Sequence, residues 1–251
     1  MSASRASRDD LGALVAVPRP VRRVVSLVPS LTESVASSGL LVGATDWCGE
    51  PAGLDVARVG GTKNPSVPAV VALAPDLVLA NFEENRREDV DALRAAGLAV
   101  WVTAPRTVPS ALSSLGRMLA VCGVPSPPWY AAACAAWPPG PPPPPVATAL
   151  VPIWKKPWMA LGSGTFAGDV LARLGVANVL AASPERYPKV DLAGLPPYDL
   201  VVLPDEPYAF AAEDAGAFPG VRAAFVSGRH LTWYGPSLAD APDVLRAQLG
   251  L

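Results

Sequence analysis

Histidine is nearly missing from this chain: His230 is the only one in 251 residues. A multi-histidine metal site therefore cannot be assembled from it. Cysteine is scarce as well. Cys48, Cys122 and Cys134 are odd in number and form no C-x-x-C pair, so reduced buried thiols are expected rather than a disulfide framework, with Cys48, in a loop beside Trp47, the one to watch. Charged residues make up only 17% and the net charge is −2. With no basic excess or Lys/Arg cluster, nothing points to nucleic acid or to an anionic membrane surface. No apolar run approaches the roughly 18–20 residues that span a bilayer, so no membrane span is expected. Nucleotide signatures are missing too. Gly60-Gly61-Thr62-Lys63 lacks P-loop spacing, Gly162-Ser163-Gly164 has no third glycine in register, and no G-x-S-x-G elbow occurs.

Proline is abundant instead, at 30 residues, more than double the usual share of roughly 5%. The chain also repeats itself. Residues 76–85 read Asp-Leu-Val-Leu-Ala-Asn-Phe-Glu-Glu-Asn and residues 199–208 read Asp-Leu-Val-Val-Leu-Pro-Asp-Glu-Pro-Tyr. Each is an Asp-led, β-prone apolar run that breaks into an acidic loop. A second echo links Val24–Glu33 with Trp158–Phe166, both passing from a strand through small residues into a helix ending near Gly39 or Gly175. The first helix has Thr32 as a cap, or Ser30 with Glu33 as a capping box. Strands and helices alternate throughout, which argues for parallel sheets. The expectation is two α/β lobes, and two lobes make a cleft for a ligand.

The expected organisation is a flexible leader over 1–21, an N-terminal lobe over 22–106, a linking helix and proline-rich spacer over 107–148, and a C-terminal lobe over 149–251. Pro125, Pro127 and Pro128 should interrupt the linking helix, and the tract at 138–145 should be extended polyproline, a semi-rigid spacer or a site for an SH3-type partner. The leader has Asp9-Asp10 where a signal peptide would begin its apolar stretch. A cytoplasmic location is expected from the residues as written.

Candidate site residues fall in loops. If the strands run toward the cleft, Trp47, Phe82, Trp154 or Trp158, and Trp233-Tyr234 all sit at carboxyl-terminal strand ends, where open α/β sheets bind ligands. Aromatic rims of this kind suit a large, flat, partly apolar ligand. The Gly60-Gly61 loop and Gly162–Gly164 can bring backbone donors close to it. The repeat aligns Glu83 with Glu206, with Glu84 and Asp205 beside them. These acids fit solvated loop positions, partner docking, a hard cation, or acid–base chemistry.

Several stretches carry a resemblance. Arg23-Val-Val-Ser-Leu-Val-Pro-Ser-Leu-Thr-Glu33, Gly43–Trp47, Val59-Gly-Gly-Thr62, Leu73–Val78 and Leu231-Thr-Trp-Tyr-Gly-Pro236 resemble the cobalamin-binding, helical-backbone metal-receptor group of ABC-transporter substrate-binding proteins. The match spans residues 22–250. The resemblance implies two Rossmann-like lobes with parallel sheets, joined by a long backbone helix, with a ligand cleft between them. It places Trp47, Gly61, Thr62, Phe82, Trp154, Trp233 and Tyr234 around the ligand, Thr62 standing where an aromatic is common. Glu83, Glu84 and Glu206 would dock on a permease. It implies no catalysis and no resident cofactor, the ligand being cobalamin, cobinamide, haem or a ferric siderophore, and the family is periplasmic or cell-surface. The alternative is a cofactor-processing or metal-insertion enzyme using Glu83, Glu206 and His230.

Overall fold

The computed structural model describes residues 4–251. Residues 1–3 of the expected leader lie outside the described residues. From there onward the leader is an antiparallel hairpin, β1 (Ser4–Arg8) with β2 (Leu14–Pro18). Its turn explains why. The Asp9 carboxylate accepts from the backbone of Leu11 and Ala13 at 3.0 and 2.9 Å and pairs with Arg94 at 3.0 Å. Asp10 accepts from Ala104 N–H at 2.8 Å and Ser114 Oγ at 2.6 Å, and meets Arg117 at 2.6 Å. The pair that argued against a signal peptide is thus the anchor of the hairpin.

The chain divides into two compact units. The first takes Met1–Pro105, Ala111–Ala131 and Tyr234–Pro236, and the second Arg106–Ser110, Ala132–Trp233 and Ser237–Leu251. The expected spacer over 107–148 does not stand apart from them.

The first unit runs β3 (Val24–Ser26), α1 (Pro29–Ala36), β4 (Leu41–Ala44), β5 (Ala57–Arg58), the short pair β6 (Gly60–Gly61) and β7 (Asn64–Pro65), α2 (Val67–Ala72), β8 (Leu77–Asn81), α3 (Arg87–Ala95) and β9 (Val100–Thr103). Its main sheet has the order β5-β4-β3-β8-β9, parallel throughout. β8 and β9 are buried at every position, as a parallel sheet covered on both faces requires. Val25, Val78, Ala80, Val100 and Val102 pack with Val70 of α2 and Leu93 of α3. α1 does not use the expected caps. It starts at Pro29 behind Val28, with no side-chain cap, because proline suits a helix's first turn. Thr32 Oγ1 instead donates back to Val28 O at 3.0 Å.

Next come α4 (Val108–Cys122) and α5 (Pro128–Ala136). The linking helix is thus split where Pro125, Pro127 and Pro128 were expected to interrupt it, α4 ending at Cys122 and α5 opening at Pro128. α4 stops before Gly123, whose φ of +72° suits the residue after a helix. The Asp169 carboxylate accepts from its first N–H, Val108, at 2.7 Å. Beyond α5, residues 138–146 are exposed and lack helix or strand.

The second unit continues with β10 (Ala147–Leu150), the antiparallel pair β11 (Pro152–Trp154) and β12 (Met159–Ala160), α6 (Phe166–Arg173), β13 (Val176–Asn178), β14 (Leu200–Pro204), β15 (Arg222–Val226), α7 (Gly228–Thr232) and α8 (Ala241–Leu249). The sheet order is β13-β10-β14-β15, again all parallel. α7 occupies part of the expected loop 229–236. Among the described residues no helix is long and apolar enough to cross a membrane.

The sequence repeat has a structural cause. Asp76, ahead of β8, accepts from the backbone of Arg22 and Arg23 at 2.7 and 2.9 Å, at the start of β3. Asp199, ahead of β14, accepts from Thr148 N–H at 2.7 Å and its hydroxyl at 2.8 Å, in β10. In each unit the aspartate staples the first strand to the strand across the reversal of sheet order, at the end away from the candidate site.

Candidate ligand-binding site

In both sheets the first strand lies inside, with later strands added on either side. The order reverses between β3 and β8 in the first unit and between β10 and β14 in the second. The carboxyl-terminal ends of such strand pairs form the crevice where open α/β sheets take ligands.

In the first unit, two asparagines at this end organise the loops. The Asn81 side-chain oxygen accepts from the N–H groups of Glu83 and Glu84 at 2.8 and 3.0 Å. Asn85 accepts from Asn81 N–H at 2.9 Å and donates to Thr62 O at 2.9 Å and Leu27 O at 3.3 Å. Lys63 Nζ donates to Glu83 O, and Arg86 Nε to Lys63 O. Three loops are thereby stitched into one platform.

Some predicted site residues belong to the stitching. Thr62 is buried with its Oγ1 3.5 Å from Thr45 Oγ1, so its side chain packs inward. Cys48 is buried between the hydroxyls of Thr32 and Thr45 at 3.0 and 3.1 Å. Tyr234 is buried, and its hydroxyl is bonded to Thr103 at 2.9 Å and to Asn81. Desolvation pushes its pKa up. Tyr234 is a structural pin of the first unit, its hydroxyl turned to Thr103 and Asn81. Gly61 lies close to Asn64 and Trp47: a Cβ there would fall 2.3 Å from the Asn64 side-chain oxygen, which can swing aside, and 3.7 Å from Trp47 Nε1. The Trp47 indole rests beside this glycine and is 73% exposed; Phe82 is 54% exposed. These two rings stand clear of the network. Glu84 also keeps an exposed side chain, yet the loops around its carboxyl desolvate it and raise its pKa, with Lys63 opposing and Glu83 adding to the rise.

In the second unit rings replace amides. Trp154, 46% exposed, meets Tyr208 edge-on with centroids 5.6 Å apart. Tyr208 packs on Phe210 at 4.6 Å, Phe210 stacks on Trp158 at 6.1 Å, and Trp158 meets Phe218 at 5.4 Å. Trp158, the alternative to Trp154, is therefore part of the support. Lys155 pairs with Asp214 and lies 5.8 Å from the Trp158 ring centre. Ala211 N–H and then Lys155 hold the Asp214 pKa low.

The acidic loop after β14 is fixed at close range. Asp205 accepts from Gly228 N–H at 2.6 Å, and a Cβ on Gly228 would fall 2.3 Å from Glu206 Cγ. Trp233 is half-buried with the Arg229 guanidinium 5.8 Å from its ring centre. His230 is engaged on both ring nitrogens, Nδ1 with Ser227 Oγ at 2.8 Å and Nε2 facing Asp240 at 3.5 Å. Among the described residues no group of three His, Cys, Asp or Glu side chains is arranged to hold a metal ion.

No family model matches the chain. It is 23% identical over 189 residues to the vitamin B12-binding protein of Vibrio cholerae serotype O1, covering 72% of this chain and 68% of that protein. The crystal structure of the periplasmic vitamin B12 binding protein BtuF of Vibrio cholerae superposes with a TM-score of 0.68 at 18% identity, covering 92% of this chain and 97% of that one. The periplasmic heme-binding protein RhuT from Roseiflexus sp. RS-1 gives 0.70 at 19% identity, over 91% and 97%. The fold is that of these periplasmic binding proteins. Its two parallel sheets are the two Rossmann-like lobes expected.

Sequence reasoning passed over Tyr208, Asn81 and Asn85. Tyr208 closes the repeated acidic loop and was visible there as an aromatic. The asparagines carry no signal of their own, because their role depends on which backbone groups the fold brings within reach.

Proposed function

We propose that this chain binds a corrinoid or a similar large, flat metal chelate without transforming it, as the ligand-capturing component of an ABC-type importer. The observation that carries the reading is the exposure of Trp47, Phe82 and Trp154 on strand-end loops that are otherwise tightly packed. Large exposed rings on a braced scaffold suit stacking against a flat ligand, each ring contributing contact area at small entropic cost. The likeness to vitamin B12- and heme-binding proteins supports the same class of ligand. Gly61 lets backbone approach the ligand beside Trp47, and Trp233 supplies a further ring. Glu83, Glu84 and Glu206 are assigned as docking acids for permease arginines, which implies a periplasmic or cell-surface location rather than a cytoplasmic one. The likeness to binding proteins favours this reading over the enzymatic alternative.

The test is a titration of the purified chain with cyanocobalamin, dicyanocobinamide and haemin, followed by tryptophan fluorescence and calorimetry. Saturable binding at micromolar concentrations or below is expected for at least one of them. Trp47→Ala and Trp154→Ala should each weaken it about tenfold, the loss of one stacked ring. Binding of none of the three would overturn the reading.

A further inference from the structure

The hairpin of β11 and β12 continues from the carboxyl-terminal end of β10 and carries Trp154, the exposed indole of the second unit. Two lysines follow that ring, and their surroundings differ. Lys155 is half-buried and paired with Asp214. Lys156 is exposed, and its side chain makes no hydrogen bond or ion pair among the described residues. Its backbone is left-handed, with a φ of +66°. Glycine takes up that conformation without the cost a side chain brings. Of the other non-glycine residues described, only Ala74 has a positive φ.

A third lysine lies in line with the ring. Trp154 is opposite Met159 in the hairpin, and Met159 is opposite Lys189 on the chain that runs beside β12. Ala160 N–H donates to Pro188 O at 3.1 Å and Val190 N–H to Trp158 O at 3.0 Å, which holds that chain in place. Residues opposite one another in an antiparallel ladder project to the same face, with Cβ atoms about 5 Å apart. Trp154, Met159 and Lys189 therefore form one row. Lys189 is exposed and, like Lys156, makes no side-chain hydrogen bond or ion pair among the described residues. The exposed indole thus has two unpaired ammonium groups around it, one at the turn and one across the row. Like charges so placed repel, and an oxyanion at the edge of the ring would meet attraction from both.

We propose that Lys156 and Lys189 are specificity-determining contacts of the ligand site, holding an oxyanion on the rim of the flat chelate that stacks on Trp154. This rests on the chelate-binding reading above and narrows it to chelates whose rim carries a carboxylate or a phosphodiester.

The experiment titrates the full chain with haemin, which carries two carboxylates, cyanocobalamin, which carries a phosphodiester, and dicyanocobinamide, which carries neither. The native chain should bind at least one of the first two. For that ligand Lys156→Gln and Lys189→Gln should each lose about fivefold in affinity, the upper range for one exposed ion pair. The double variant should lose more than about tenfold by the same reasoning, while its dicyanocobinamide affinity stays within about twofold of native. A loss confined to haemin assigns the carboxylate, and one confined to cyanocobalamin the phosphodiester. Lys156→Gly should lose the same affinity yet melt no lower than the native chain, since glycine suits the turn. A lower melting temperature would mean that Lys156 serves the hairpin, and would overturn its role. Oxyanion-chelate binding within about twofold of native in the double variant, with Trp154→Ala still weakened, overturns the lysine proposal alone. Equal losses for dicyanocobinamide, or native binding of dicyanocobinamide only, would also overturn it. A native chain that binds none of the three removes the chelate-binding reading, and the lysines with it.

Discussion

The first unit ties its strand-end loops with amide hydrogen bonds, while the second braces them with a row of stacked rings. The underlying sheets are closely alike. Each has an inner first strand, an aspartate that staples it across the reversal, and later strands on both sides. The first unit has one more strand at the edge. What differs is the chemistry above the sheet. Asn81 and Asn85 bind loop backbone directly, which fixes positions to within a hydrogen-bond length. The Trp154–Tyr208–Phe210–Trp158 array fixes a surface by packing, which depends on filled volume rather than on direction. A topology therefore sets where a site lies and leaves open how it is held.

Removing one element from each scheme separates them. Phe210→Ala should have the largest effect, about 3–5 kcal/mol of stability by denaturant unfolding, because it empties a buried position between Tyr208 and Trp158. A loss below about 1 kcal/mol would mean that the ring array braces nothing. Gly162→Ala should cost about 2–3 kcal/mol, since its Cβ would lie 2.0 Å from Glu185 O, a backbone atom that cannot swing aside; thermal melting of the variant checks this. In the first unit Asn85→Ala leaves the buried carbonyls of Leu27 and Thr62 without that donor. About 2 kcal/mol is expected, and amide exchange should quicken in the 60–65 and 82–86 loops while the second unit is unchanged. Exchange that quickens equally in both units would erase the contrast.

The smallest effect concerns what the units share. Thr148 N–H and then its hydroxyl hold the Asp199 pKa below its ordinary value. A depressed carboxylate pKa adds stability while the group is ionised in the unfolded chain too, and that contribution is lost as pH falls through the folded value. The stability difference between the native chain and Asp199→Asn should therefore be constant from neutrality to about pH 4 and shrink below it. A difference that grows on acidification would contradict the staple.

Much of this architecture is legible in residue order. The apolar runs at 77–81 and 200–204 read as buried parallel strands because both faces need cover, and their leading aspartates mark the shared strand pairing. Trp47, Phe82 and Trp154 read as loop aromatics and are exposed. Tyr234 and Thr62 also read as ligand-facing loop residues and are buried, because loop residues are sorted by partners distant in the chain. Thr103 is 131 residues from Tyr234. The amino-terminal hairpin was missed for the same reason, its turn being held by Arg94, Ala104, Ser114 and Arg117.

The sequence by itself determined that two α/β units form, that their sheets are parallel and that aromatics gather in strand-end loops, because periodicity and composition act over a few neighbouring residues. Only the tertiary structure decided which rings stay exposed, which hydroxyls find partners and which aspartates become anchors. Those outcomes depend on groups brought together across the whole chain, and burial leaves each polar atom needing a partner that local sequence does not name.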